Sequence, residues 1–256
     1  MKTFVGTSGW TYKHWNRRFF PDDLPKEQWL NFLSRRFPTV EVNTTFYHMA
    51  RRTTFEKWKG EVGGGFKFAL KMYRLFTHFK KLNLDKEDEE TLSGYLRNAS
   101  VLGRKLGPIL IQFPPSFSVE LEKLGRFLSL IREQEKELGQ RFKLAVEVRH
   151  KSWFKEEVYD FFRDRRIAFV ITNSPAWPSK VIRTADFVYM RFHGRTKLFA
   201  SNYTDAELKE WAETLKGLKA EEMYVYFNND ANAFAADNAL TLLSLLGGKG
   251  PSKPRK

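Results

Sequence analysis

Glu147 and Arg149 lie two residues apart at the end of an apolar run, Leu144-Ala-Val-Glu-Val-Arg149, with His150 and Trp153 directly after it. In an extended chain successive side chains alternate faces. Leu144, Val146 and Val148 therefore share one face, and Ala145, Glu147 and Arg149 the other. A carboxylate and a guanidinium on the inner face of an apolar strand are costly unless that face opens onto a polar site. The same parity recurs along the chain. Glu41 and Asn43 oppose Val40 and Val42. Lys71 and Gln112 close two further apolar runs. Arg191 and His193 oppose Met190 and Phe192, and Tyr226 and Asn228 lead to Asp230. General acid–base chemistry by His193 with Glu147 or Glu41 is open to such a set, and the candidate catalytic residues are Glu147, Glu41, His193 and Asp230. Arg149, Arg191, Arg195 and Lys71 are the candidate contacts for an anion. Asn43, Gln112 and Asn228 supply amides at the same level.

Aromatic residues follow the same runs: Trp10 and Tyr12 after the first, Tyr47 after the second, Trp153 after the fifth. Beside basic residues, such rings can stack bases or sugars, and they are read as substrate-binding candidates. Two loops look shaped. Gln112-Phe-Pro-Pro-Ser116 has a rigid, extended backbone. In His193-Gly194-Arg195 the glycine permits close backbone approach, and Arg191 with Arg195 could clamp a phosphate. Other chemistries find less support. The five histidines show neither His-x-His nor His-Glu-x-x-His spacing, and no metal ligands are assigned. No Gly-x-Ser-x-Gly elbow is present. There is no cysteine, hence no disulfide and no thiolate site. No cofactor is named by these residues.

Eight strands must carry this set: Thr3–Thr7, Thr39–Asn43, Phe66–Lys71, Ile109–Phe113, Leu144–Arg149, Ala168–Thr172, Phe187–His193 and Met223–Asn228. Between and after them, helical periodicity covers Lys26–Arg36, Thr53–Lys59, Glu87–Leu106, Val119–Leu138, Lys155–Arg165, Thr204–Leu218 and Ala231–Leu246, with Gly107-Pro108 read as the stop of the third helix. The sixth connection, Asn173–Arg183, contains two prolines and is at most a short helix. This alternation predicts an α/β protein, a single (β/α)8 TIM-type barrel over residues 1–246, with its site at the C-terminal ends of the strands. An open doubly wound sheet is the alternative, but no Gly-x-Gly-x-x-Gly turn follows the first strand. Residues 247–256, rich in Gly, Pro, Ser and Lys, read as a short disordered basic tail.

The formal net charge is +14, from 44 Lys and Arg against 30 Asp and Glu. Such a field favours an anionic small molecule or nucleic acid as partner. No apolar run reaches the roughly 18 residues of a membrane span, and no signal region opens the chain, so a cytoplasmic, non-membrane protein is expected.

Seven stretches in order resemble the YecE-like family, domain of unknown function 72. They are Gly6-Thr-Ser-Gly-Trp10 with Tyr12 and Trp15, Val40-Glu-Val-Asn-Thr-Thr-Phe-Tyr47, Phe66–Lys71 with Thr77-His78, Leu110–Pro115, Ala145–His150 with Ser152-Trp153, Arg191–Arg195, and Tyr226–Asp230. The resemblance implies a TIM-type barrel like that of endonuclease-IV-type phosphodiesterases and xylose isomerases, without implying an activity. Two departures stand out. His48-Met-Ala-Arg51 replaces the usual arginine and proline, and Asn173 replaces the aspartate that usually follows strand six. The residues together lead to the expectation of a basic, aromatic-rich site for a phosphate-bearing ligand. A phosphodiesterase-like hydrolase acting on nucleic acid is one form of it, and a non-catalytic binder of nucleic acid or an anionic metabolite the other.

Overall fold

The computed structural model describes residues 1–248. Its first half runs β1 (Lys2–Thr7), α1 (Trp29–Ser34), β2 (Thr39–Val42), α2 (Thr44–Tyr47), α3 (Arg52–Glu61), β3 (Lys67–Lys71), α4 (Lys86–Ser100) and β4 (Leu106–Gln112). The second half runs α5 (Leu121–Leu138), β5 (Leu144–Glu147), α6 (Glu156–Asp164), β6 (Ala168–Phe169), β7 (Ile171–Asn173), β8 (Phe187–Phe192), α7 (Asp205–Gly217), β9 (Glu222–Phe227) and α8 (Phe234–Leu245). This is an α/β fold in which every ladder is parallel. The strands form two sheets, ordered β1-β9-β8-β7 and β2-β3-β4-β5-β6. One bridge, Ser8 to Glu41, joins the end of β1 to β2. Only Val170 separates β6 from β7. Gly6 lies at the β1–β2 approach, where a Cβ would come within 2.2 Å of the Thr39 carbonyl oxygen, so only glycine fits.

The strand parity read from the sequence holds. Val40, Val42, Leu70, Met190, Phe192, Val225 and Phe227 face outward into one buried cluster. Ile109, Ile111, Leu144, Val146 and Val148 face outward into a second. Inside, a smaller cluster built on Phe4, Ala69, Leu110, Ala145, Tyr189, Tyr224 and Tyr226 fills the N-terminal end, with the Phe4 and Tyr224 rings stacked at 4.8 Å. Going toward the strand C-termini on the same inner faces, the side chains turn polar. This is why one end of the fold packs and the other carries the site.

The helices follow local chemistry. Asp85 and Asp88 form a capping box at the start of α4, and Thr204 with Glu207 forms another at α7. Gly107 and Pro108, expected to end a helix, instead lie within β4. The β3–β4 register shifts opposite them, between Phe68 and Leu70. Pro108 has no N–H to give the ladder, so the pairing bulges there rather than breaking. The sixth connection contains no helix. Of the expected tail, Gly247 and Gly248 close α8 by donating to Ser244 and Leu243, and residues 249–256 lie outside the described residues.

Candidate functional site

At the C-terminal ends of the strands lies a cleft of about 1050 Å³. Ten of the residues singled out above line it: Trp10, Tyr12, Asn43, Tyr47, Lys71, Gln112, Arg149, Arg191, Asn228 and Asp230. Beneath it is a closed set of charges. Arg191, from β8, places Nη2 2.7 Å from Glu41 Oε1 and Nη1 2.5 Å from Glu147 Oε2. The other Glu41 oxygen accepts from the Tyr189 hydroxyl at 2.6 Å, and the other Glu147 oxygen accepts from Arg149 Nε at 2.7 Å. All four carboxylate oxygens are therefore engaged. Both glutamate side chains are 0% exposed and that of Arg191 is 1% exposed. Burial alone would raise the Glu147 carboxyl, but the Arg191 and Arg149 guanidiniums outweigh it and hold the group well below the usual carboxylate range.

Three of the four candidate catalytic residues lie away from the cleft. Glu41, Glu147 and His193 do not line the cleft; they are buried under its floor. The His193 Nε2 lies 3.7 Å from Glu147 Oε2, beyond hydrogen-bond range, and finds no partner among the described residues. Burial first, and then Arg191, push its pKa down to about 4, so it is a neutral ring at pH 7. The physical reason is the position of Arg191: a buried guanidinium must be neutralised, and the two glutamates are the groups that do it.

Two of the binding candidates, Arg195 and Trp153, also lie away from the cleft. Arg195 turns outward to Glu207 and does not join Arg191 in a clamp. Gly194 has φ +98, and a Cβ there would meet the Lys197 carbonyl oxygen at 2.4 Å. Its N–H donates to Tyr203 Oη. The turn itself requires the glycine. Trp153 is fully buried, stacked on Phe113 at 5.5 Å, and donates from Nε1 to the Phe117 carbonyl. It braces the rigid Phe113-Pro-Pro loop.

What does face the cleft is sharply defined. Arg149, held behind by Glu147, lies with its guanidinium carbon 3.6 Å from the centre of the Trp177 ring. Lys71 Nζ lies 3.9 Å from the centre of the Phe46 ring. Burial, then the nearby Arg191, pull the Lys71 amine down to about 7, against the pull of Glu147 and Glu41. Asp230 accepts from Trp15 Nε1 at 2.6 Å and pairs with His14 Nε2 at 2.9 Å. Burial raises its carboxyl to about 6 in spite of both contacts. Just past it, Asn232 and Ala233 hold φ values of 64 and 63, a left-handed strain of the kind that gathers at functional sites. Asn43 donates to the Ser8 carbonyl at 3.2 Å, Asn228 stands 3.3 Å from His193 Nδ1, and Gln112 donates to the Phe113 carbonyl at 2.6 Å. Tyr12 Oη donates to the Ser8 carbonyl, and Tyr47 stands half exposed at the rim.

Two lining residues, His78 and His14, escaped the strand-parity reading because neither is on a strand. His78 sits in a π-helical turn, Leu75–Phe79, and its ring packs edge-on against Phe46 at 4.8 Å. Only the quoted pair Thr77-His78 pointed to it. His14 lies in a short turn after β1, with no marker in the sequence. Among the described residues no group of three or more His, Asp or Glu side chains is arranged to hold a metal ion. None of the described helices is long and apolar enough to cross a membrane.

The model of a protein family of unknown function, DUF72, matches residues 4–256. The chain belongs to the DUF72 family. A DUF72 protein of Thermotoga maritima has the same fold, with a TM-score of 0.81 and 32% identity, covering 96% of this chain and all of that one. A second, from Enterococcus faecalis, superposes with a TM-score of 0.78 at 22% identity over 99% of this chain and all of that one, a likeness of fold. The UPF0759 protein YunF of Bacillus subtilis is 26% identical over 95% of this chain and 94% of its own length. The UPF0759 protein YecE of Escherichia coli K12 is 26% identical over 59% of this chain and 50% of its own. Asn173, read above as standing in place of an aspartate, accepts a hydrogen bond from Tyr203 Oη at 2.6 Å, a contact an aspartate oxygen would also make.

Proposed function

We propose that the cleft binds an anionic, phosphate-bearing ligand, with Lys71 and Arg149 as its positive contacts and the rings of Tyr12, Tyr47 and Trp58, which also lines it, as its walls. The observation that carries this reading is the distribution of charge. Arg191 neutralises Glu41 and shares Glu147 with Arg149, which leaves Lys71 without an ion-pair partner among the described residues and Arg149 lining the cleft with Glu147 behind it. Two cations on one wall of a concave, partly apolar cleft suit a phosphate or carboxylate. The net charge of +14 would draw such ligands, nucleic acid included. The reading takes the two sheets as one closed (β/α)8 barrel. The single-residue gap between β6 and β7 and the Ser8–Glu41 bridge support it.

Hydrolysis of a phosphate ester is the second reading. One observation favours it: Asp230, half protonated near pH 6, lines the cleft with His14 beside it. Calorimetric titration with inorganic phosphate and with a 5′-phosphorylated single-stranded oligonucleotide tests both. Binding that falls with salt, and that is lost in Arg149→Met, is the expected result. Turnover of the oligonucleotide lost in Asp230→Asn, with binding intact, would establish the hydrolase. Absence of binding to either probe at low salt would end the anion reading.

A further inference from the structure

Lys71 ends β3, where Thr45 Oγ1 at 2.7 Å and Tyr95 Oη at 3.4 Å donate to its carbonyl and fix the strand end. Its amine looks into the cleft across the Phe46 ring. The oxygens of Glu41 and Glu147 are engaged by Arg149, Arg191 and Tyr189, so no carboxylate forms an ion pair with Lys71 among the described residues. An amine kept from a counter-ion, half-buried in the cleft with guanidiniums at hand, is in the setting that turns lysine into a nucleophile. On the same Phe46 ring packs His78, with Nδ1 2.8 Å from Thr77 Oγ1 and Nε2 3.5 Å from the Gln112 amide.

We propose that Lys71 forms an imine with an aldehyde or ketone ligand bound in this cleft. The Nζ lone pair attacks the carbonyl carbon and the carbonyl oxygen takes a proton. The resulting carbinolamine loses water to leave a C=N bond. One water is released, and neither an oxidant nor a reductant is consumed. The His78 imidazole is the group to carry the proton from nitrogen to oxygen, and Arg149 holds the anionic substituent of the ligand, a role that rests on the anion reading above. The electrostatics agree. With its pKa near 7, about half of Lys71 is free amine at neutral pH, against roughly one in 2500 for a lysine at about 10.4. His78 is pushed down to about 4, first by burial and then by Lys71, and is neutral there.

The test uses the full chain and two probes, pyridoxal 5′-phosphate and pyridoxal, at pH 7 with sodium borohydride and peptide mapping by mass spectrometry. Expected is one reduced adduct per chain, on Lys71, formed at least tenfold faster than on any other lysine and faster with the phosphate-bearing probe. Lys71→Arg should lose that adduct while keeping its circular dichroism, and competing inorganic phosphate should slow it. Labelling spread evenly over surface lysines would overturn the proposal, and tryptophan quenching by inorganic phosphate in the same sample would show the anion reading surviving it. Equal labelling of Lys71 by both probes would uphold the nucleophile and remove the anion reading.

Discussion

Arg191→Met should expose how the charges under the cleft are held. The methionine keeps much of the volume, so the change is chiefly one of charge. In the wild type, Arg191 contacts Glu41 at 2.7 Å and Glu147 at 2.5 Å, all of them out of water. Without it Glu147 keeps Arg149, but among the described residues Glu41 retains only the Tyr189 hydroxyl. Leaving one buried charge uncompensated costs about 3–5 kcal/mol. For a chain of this size, at about 2–4 °C per kcal/mol, Tm should fall by about 6–20 °C. Thermal and urea unfolding followed by circular dichroism measure this. Adding Glu41→Gln should return at least half of the loss, because it removes the orphaned charge. The pH dependence has a definite sign. Glu147 is held below its unfolded value, so it adds stability above the ordinary carboxylate range that is lost as pH falls through the lowered pKa. Arg191→Met forfeits part of that gain, so the share of the gap to wild type that comes from Glu147 should hold at neutral pH and narrow only as pH falls below the ordinary carboxylate range. A loss under about 1 kcal/mol, or no recovery with Glu41→Gln, would refute the view that Arg191 exists to neutralise the two glutamates.

Three further outcomes are expected. The Lys71 amine is depressed in the fold, so the folded chain loses stability relative to the unfolded one as pH falls from about 10 to about 7; Lys71→Met should raise the free energy of unfolding at pH 7, by up to a few kcal/mol in urea titration, and leave it unchanged near pH 10.5. Asp230 is raised to about 6, so its charge opposes folding above that pH; Asp230→Asn should raise Tm at pH 7 but not at pH 4, and should abolish any Trp15 fluorescence step centred near pH 6. Trp153→Ala should cost about 3–5 kcal/mol in urea unfolding by opening a cavity beside Phe113, while ligand affinity measured on the folded fraction stays within twofold.

Strand parity was the most durable signal in the sequence. A period of two, with valine and phenylalanine on one face, is imposed by the extended backbone whatever the partners are, so Glu41, Lys71, Gln112, Glu147, Arg149 and Arg191 all fall on the inner face as read. The capping boxes of Asp85 with Asp88 and of Thr204 with Glu207 are local in the same way, each a contact within four residues. Gly107-Pro108 misled because a proline that stops a helix can also sit at a bulge in a strand, and only the neighbouring β3 decides between them.

Which of those inner residues face a ligand was not written in any local pattern. Glu147 and Asp230 look equally catalytic in one dimension. The fold brings a guanidinium from 44 residues away onto Glu147 and leaves Asp230 at the cleft with Trp15 and His14. Arg195 follows His193 by two positions, yet the turn at Gly194 sends it out to Glu207. His78 enters the site from a π-helical turn that no periodicity marks. Face and level are set by backbone geometry, which a sequence carries in its spacing. Pairing is set by which charges meet when water is excluded, and that is decided only when strands distant in sequence come together.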